Sequence, residues 1–127
     1  MENKAHKVLY IEDQSDMIDL VRLTLRHMGC DVYGATDGSQ GLNMMRDLQP
    51  DLVLLDLMLP GSDGWQVRSA MQADAQLKTV PVILITARVP GGNPVNHRQL
   101  PQADAYITKP FSLAEMRTIV KSFLRKH

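Results

Sequence analysis

The chain has 127 residues, of which 44% are hydrophobic and 22% are charged, values typical of one soluble domain with a single core. Fourteen basic residues balance fourteen acidic ones, so charge predicts neither nucleic-acid binding nor membrane attachment. No apolar run approaches the ~20 residues of a membrane span, no signal peptide is recognisable, and the one cysteine, Cys30, cannot form an internal disulfide. We therefore expect a cytoplasmic protein.

Short apolar runs alternate with segments of helical spacing along the chain. The third and fourth runs are apolar on both faces, which is typical of strands covered from both sides. Proline and glycine between residues 90 and 101 limit the fourth of five expected helices to residues 95–100, so we expect that helix to be short or irregular. The predicted strands are 7–11, 31–35, 52–56, 81–86 and 103–107, and the other helices begin at or near Ser15, Asp37, Asp63 and Ser112.

This alternation predicts an α/β fold with a parallel sheet. With right-handed crossovers, the leading candidate is a flavodoxin-like, doubly wound sheet of five strands in the order 2-1-3-4-5, formed by a single domain over residues 1–127. In that order strands one and three are neighbours where the winding reverses. Ligands bind at the carboxyl ends of strands at such a point.

Charged and polar residues follow four of the predicted strands. Glu12 and Asp13 come after strand one, Asp56 ends strand three, Thr86 ends strand four and Lys109 follows strand five. Each of these residues alone has an ordinary explanation as a cap, a strand residue or a solvated side chain, but together they indicate one site. Two carboxylates 4 Å apart repel by about 4 kcal/mol at an effective dielectric of 20. Such a cluster suits Mg²⁺ or Mn²⁺, which prefer oxygen ligands.

The segments YIEDQ, LLDLMLPGSDG, ILITA and YITKPF resemble, in order and spacing, the receiver domain of two-component response regulators. The resemblance implies that Asp56 is the phosphoacceptor. It also implies that Asp13 is a direct Mg²⁺ ligand, that Glu12 is a second acid acting directly or through water, and that Met58 offers its backbone carbonyl to the metal. Glu12 is one methylene longer than the more usual aspartate, so we expect altered metal geometry or affinity.

The resemblance also implies a phosphate-binding group and a switch. Lys109 and the backbone amide of Ala87 contact the phosphoryl oxygens, and Thr86 is the hydroxyl that swings towards them. The movement of Thr86 gives Tyr106 space to turn inward, which changes the face that partners read. The bond between Lys109 and Pro110 is expected to be cis.

The function implied is that of a phosphorelay receiver. It takes a phosphoryl group from the phosphohistidine of a histidine kinase or a histidine phosphotransfer protein, and then dephosphorylates itself. It is therefore not an enzyme acting on other substrates. The chain ends just after the last predicted helix, so we expect no output domain in it and no direct contact with nucleic acid.

Three other functions remain open. A haloacid-dehalogenase-like phosphatase also forms an aspartyl phosphate, but it needs a second aspartate at the position of Met58. A flavin carrier shares the predicted architecture, but Glu12 and Asp13 would repel the cofactor's phosphate. The third alternative is a scaffold that keeps the receiver shape without being phosphorylated.

Overall fold

A computed structural model of the chain describes residues 5–87 and 100–124, apart from the side chains of residues 62 and 63. It contains one sheet of five parallel strands in the order β2-β1-β3-β4-β5, which confirms the predicted flavodoxin-like order. The strands are β1 (His6–Ile11), β2 (Cys30–Ala35), β3 (Leu52–Asp56), β4 (Val82–Ala87) and β5 (Ala105–Lys109).

Four α-helices alternate with the strands in the described residues. The predicted helix over residues 95–100 lies outside the described part of the chain, except for its last residue. A short 3₁₀ turn, Pro60–Ser62, precedes the third of the four helices. The helices are α1 (Ser15–Arg26), α2 (Gly38–Leu48), α3 (Asp63–Ala73) and α4 (Leu113–Leu124).

Side-chain caps explain where two of these helices begin. The Asp37 carboxylate accepts a hydrogen bond of 2.7 Å from the backbone of Gln40 at the start of α2. At the start of α4, the backbone of Glu115 donates to Ser112 Oγ at 3.0 Å, and the backbone of Ser112 donates to Glu115 Oε1 at 3.4 Å. This reciprocal pair is a capping box, and it lies at Ser112, where the sequence predicts that the last helix begins.

Two hydrophobic cores cover the two faces of the sheet. Alternate residues of β3 contribute to them, with Leu52 and Leu54 on one side and Val53 and Leu55 on the other. The first core packs α1 and α4 on the sheet, and the second packs α2 and α3 on the opposite face. Every residue of β3 is buried, which confirms that this strand is covered from both sides. None of the helices in the described residues is long and apolar enough to cross a membrane.

The last strand differs from its prediction by two residues at each end. β5 begins at Ala105 and continues through Thr108 and Lys109, which pair in register with Thr86 and Ala87 of β4. A prediction from apolar runs ends where the side chains become polar, whereas the backbone ladder continues because parallel strands pair through main-chain groups. As a result, Thr108 and Lys109 are held on an ordered strand and not on a loop.

Candidate functional site

Two buried carboxylates lie at the carboxyl ends of neighbouring strands. Glu12 follows β1 directly and its N–H donates to the carbonyl of Ala35 at 2.9 Å, while Asp56 is the last residue of β3. Glu12 is fully buried and Asp56 is 1% exposed. Buried carboxylates cost several kcal/mol each unless they are paired and hydrogen-bonded. The apolar run of β3 therefore ends in a charge that lies in a buried pocket at the edge of the sheet and requires partners there.

Lys109 joins the two carboxylates from the end of β5. Its Nζ donates to Glu12 Oε1 at 2.8 Å and to Asp56 Oδ2 at 2.6 Å. Burial alone would lower the pKa of Lys109, but the hydrogen bonds to Asp56 and Glu12 and the charges of both carboxylates outweigh it, and the pKa is raised. The ammonium group therefore stays charged and neutralises part of the acidic pocket.

Backbone amides and a tyrosine hydroxyl also hold the two buried acids in place. The backbone N–H of Met58 donates to Asp56 Oδ1 at 2.7 Å. The hydroxyl of Tyr10 donates to Glu12 Oε1 at 3.2 Å, and the backbone of Gln14 donates to Glu12 Oε2 at 3.3 Å. These contacts fix both carboxylates in position before any ligand is bound. The role of the Met58 carbonyl as a metal ligand stays a prediction.

Three acidic side chains are close enough to hold one metal ion. Glu12, Asp13 and Asp56 each offer an oxygen that lies within 4.8 Å of the others. Asp13 is exposed, and its pKa is raised by a hydrogen bond with Glu12, by burial and by the charge of Glu12. This donor set contains only carboxylate oxygens and opens to solvent through Asp13. It therefore fits Mg²⁺ or Mn²⁺, which take oxygen ligands and keep several waters.

The predicted switch residues, Thr86 and Tyr106, lie on β4 and β5, the two strands that follow β3 in the order of the sheet. Thr86 is 5% exposed, and its hydroxyl donates a long bond of 3.5 Å to the carbonyl of Ala87. Such a bond is weak and can be exchanged at little cost. The hydroxyl of Tyr106 donates to the carbonyl of Pro101 at 2.8 Å, and the side chain is partly buried against the core. The peptide bond between Lys109 and Pro110 is cis.

Two residues that hold the site were not singled out from the sequence. Tyr10 is two positions before Glu12, and residues at that spacing share a strand face. Because a buried tyrosine hydroxyl needs a hydrogen-bond partner, this spacing could have predicted the contact between Tyr10 and Glu12. Gly64 is the second residue of α3 and lies against the end of β3, where an added Cβ would be 2.6 Å from the Asp56 carbonyl oxygen and 2.7 Å from Leu57 Cα. Only the three-dimensional structure shows that contact.

Comparison with known proteins agrees with this geometry. The model of the response regulator receiver domain family matches residues 8–121. The receiver domain of a signal transduction histidine kinase from Syntrophus aciditrophicus is 25% identical, with a TM-score of 0.83 over 96% of this chain and 92% of that one.

Two further solved structures are similar. The receiver domain of a sensor histidine kinase from Pseudomonas aeruginosa, which has a magnesium ion in its active-site cleft, is 28% identical with a TM-score of 0.79 over 94% of this chain and 97% of that one. A chemotaxis response regulator of Vibrio cholerae, at 21% identity, shares the fold with a TM-score of 0.81 over 94% of this chain and 98% of that one. The chain therefore belongs to the response regulator receiver domain family.

Proposed function

We propose that the protein is a Mg²⁺-dependent phosphoacceptor in which Asp56 receives a phosphoryl group from a phosphohistidine. The observation that carries this proposal is the contact of one lysine with two buried carboxylates at the ends of β1 and β3. A structural ion pair has no need of the third acid, Asp13, at the solvent side of the same pocket. A site that binds an anionic phosphoryl group together with a metal cation accounts for all four side chains, which are those of Glu12, Asp13, Asp56 and Lys109.

The chemistry is a transfer between two nucleophiles. An oxygen of Asp56 attacks phosphorus, the bond from phosphorus to the imidazole nitrogen breaks, and the imidazole of the donor leaves with that electron pair. Lys109, already 2.6 Å from Asp56 Oδ2, is placed to neutralise charge on the phosphoryl oxygens. Glu12, Asp13 and Asp56 are the side chains that hold Mg²⁺, which when bound adds positive charge beside the transferred group.

Dephosphorylation follows from the same arrangement. Water attacks the phosphorus of the acyl phosphate, the bond between phosphorus and the Asp56 oxygen breaks, and inorganic phosphate and the free carboxylate are formed. Met58 stands at the position where a haloacid-dehalogenase-like phosphatase needs a proton-donating aspartate, and its thioether carries no proton. We therefore infer self-dephosphorylation and no turnover of other phosphate esters.

The phosphodonor is a protein that covers an apolar groove beside the pocket. The groove has a volume of about 490 Å³ and continues from Lys109 and Met58 to α1. Leu20 and Met58 on its wall are 43% and 52% exposed, which is high for large apolar side chains. A histidine kinase or histidine phosphotransfer protein must cover this region to bring its imidazole to Asp56. The groove is lined by Gln14, Met17, Leu20, Met58, Ala87, Lys109, Pro110, Phe111 and Leu113.

Phosphorylation then changes the position of Thr86 and Tyr106. An aspartyl phosphate adds up to two negative charges and strong acceptor oxygens. The Thr86 hydroxyl exchanges its weak bond to the Ala87 carbonyl for a bond to a phosphoryl oxygen, and the Ala87 amide donates to another. Tyr106 leaves the Pro101 carbonyl and turns into the space that Thr86 vacates, so a downstream protein meets a different surface.

Incubation with acetyl phosphate and Mg²⁺, followed by intact mass measurement, tests this function. We expect a gain of one phosphoryl group that is abolished by excess chelator and by Asp56→Asn. Asp74→Asn is a matched control, because Asp74 lies after α3, away from the pocket, and this variant is expected to gain the group normally. A gain of mass that persists in Asp56→Asn would show that another residue is the acceptor.

A further inference from the structure

Arg68 is a buried cation outside the acidic pocket. It lies on α3, it is 8% exposed, and its Nε donates a hydrogen bond of 2.6 Å to the carbonyl of Gln102. Within the described part of the chain its Nη1 is buried without a hydrogen-bond partner. Burial lowers the pKa of Arg68, against the opposing effect of Asp104 and Tyr106. Because an arginine is seldom buried and a buried unmet donor is costly, packing alone does not explain this residue.

The backbone that Arg68 contacts is also held by Tyr106. The Tyr106 hydroxyl donates to the carbonyl of Pro101, which is adjacent in the chain to the carbonyl of Gln102. Side chains from α3 and β5 therefore hold two neighbouring carbonyl groups of the segment that leads into β5. If one of these two hydrogen bonds is removed, the carbonyl that accepts the other hydrogen bond is held less firmly in position.

The same face of α3 reaches the phosphoacceptor strand. Gly64 lies four residues before Arg68, which places both positions on one face of the helix. A Cβ added at Gly64 would lie only 2.6 Å from the Asp56 carbonyl oxygen and 2.7 Å from Leu57 Cα, so the α3 backbone lies directly against the end of β3. One helix thus connects the backbone of Asp56 with the carbonyl of Gln102.

We propose that Arg68 is a positioning residue that couples the end of β3 to Tyr106. By holding the Gln102 carbonyl, Arg68 keeps the Pro101 carbonyl within reach of the Tyr106 hydroxyl, which favours the position that Tyr106 has in this structure. This inference rests on the proposed function, because it concerns the switch that follows phosphorylation. Without Arg68, the hydrogen bond from Tyr106 to the Pro101 carbonyl weakens. Less of the binding free energy of a phosphoryl group is then needed to release Tyr106, so the group binds more tightly.

The test uses Arg68→Met in protein labelled with 3-fluorotyrosine. The fluorine resonance of Tyr106 is assigned with Tyr106→Phe, and beryllium fluoride with Mg²⁺ serves as the phosphoryl analogue. In Arg68→Met without the analogue, we expect the Tyr106 resonance to move part of the way to its position in the wild-type complex. We also expect the apparent Kd for beryllium fluoride to fall about three- to tenfold, the size expected from the loss of one hydrogen bond.

Two further variants separate coupling from stability. Methionine is similar in length to arginine. The substitution Arg68→Met removes one hydrogen bond, but it also removes the buried Nη1 donor that has no partner in the described part of the chain, so the variant is expected to fold. Arg68→Lys keeps the charge and a donor, and is expected to restore much of the wild-type Kd. Val120→Ala opens a cavity in the core on the opposite face of the sheet, and is expected to lower stability without moving the Tyr106 resonance or the Kd.

Amide hydrogen exchange provides a readout that is independent of phosphorylation. In the absence of the analogue, we expect the backbone amides of residues 102–104 to exchange about tenfold faster in Arg68→Met than in the wild type. Unchanged exchange together with an unchanged Tyr106 resonance overturns the proposal. If the wild type neither binds beryllium fluoride nor gains a phosphoryl group, the proposed function and its coupling to Arg68 both fail. Faster exchange in that case still shows that Arg68 holds the segment.

Discussion

Lys109 is the residue whose removal tests the electrostatics of the pocket most directly. In Lys109→Met, two carboxylates that are 0% and 1% exposed lose their common cation, while the apolar stem of the side chain is retained. Removing one partner of a buried ion pair costs about 3–5 kcal/mol. We use the lower end, about 3 kcal/mol, because the Lys109 side chain is itself 23% exposed and water screens part of the interaction. For a domain of this size the midpoint of thermal unfolding then falls by roughly 12 °C.

Equilibrium unfolding in urea, with a chelator present, measures this effect. The chelator is required because a divalent cation would replace the lost ammonium charge. Lys121→Met removes an exposed lysine from α4 and is expected to change the free energy of unfolding by less than about 0.5 kcal/mol. In the double variant Lys109→Met, Asp56→Asn, one of the two uncompensated charges is absent, so the loss is expected to be at least about 1 kcal/mol smaller than in Lys109→Met alone.

The pH dependence of Lys109→Met provides a second check with a definite sign. In the folded variant one of the buried carboxylates takes up a proton more readily than it does in the unfolded chain. A folded state that binds more protons than the unfolded state gains stability as the pH falls. The difference between wild type and variant should therefore shrink by more than about 1 kcal/mol between pH 8 and pH 5. A difference that is constant over this range, or a loss below about 1 kcal/mol, would show that Lys109 does not neutralise the pocket.

Three further predictions follow from other parts of the structure. Mg²⁺ at about 10 mM, a concentration suited to weak oxygen sites, is expected to raise the midpoint of thermal unfolding of the wild type but not that of Asp13→Asn. An equal rise in both proteins would exclude Asp13 as a ligand. Gly64→Ala is expected to lower the free energy of unfolding by about 1–3 kcal/mol, because the nearest atoms to its Cβ belong to the backbone. Gly41→Ala should cost less in the same urea titration, because the nearest atoms to its Cβ belong to the side chain of Ile11. Cys30 is 3% exposed and burial raises its pKa. We therefore expect Ellman's reagent to modify Cys30 roughly a hundredfold more slowly in the folded protein than in urea. Rapid modification without urea would show that the N-terminal end of β2 opens.

The acidic cluster could be predicted from the sequence because it depends on few steps. The apolar runs that precede Glu12 and Asp56 are short and continuous, so the ends of these strands are clear, and parallel strands bring their carboxyl ends to one edge. Lys109 is different, since the apolar pattern ends the last strand before it and the ladder with β4 carries it into the sheet. The pattern still placed Lys109 after the fifth strand at the same edge of the sheet, and the resemblance to receiver domains added its role in contacting the phosphoryl group.

The contacts that the sequence did not reveal are those between side chains and distant backbone. Arg68 stands at a core-facing position of α3, between the buried residues Val67 and Met71, where periodicity predicts an apolar residue. A charged residue that breaks this period was a visible signal, but its partner, the carbonyl of Gln102, is 34 residues away in the chain. No local rule connects two such positions, because the distance between them is set by how α3 packs beside β4 and β5.

In the proposed function, phosphoryl transfer and the conformational response depend on residues at the same few strand ends, and this determines which substitutions can separate the two. Asp56 and Lys109 end β3 and β5, and Thr86 is the last residue but one of β4, the strand between them. Under the proposed function, a change at any of these three residues is expected to alter both phosphoryl binding and the surface around Tyr106. Arg68 lies outside these strand ends and contacts the segment that leads into β5, through the backbone carbonyl of Gln102. A variant at Arg68 can therefore change the equilibrium of Tyr106 while the acidic pocket stays intact, because the contacts that hold Asp56 come from Lys109 and Met58.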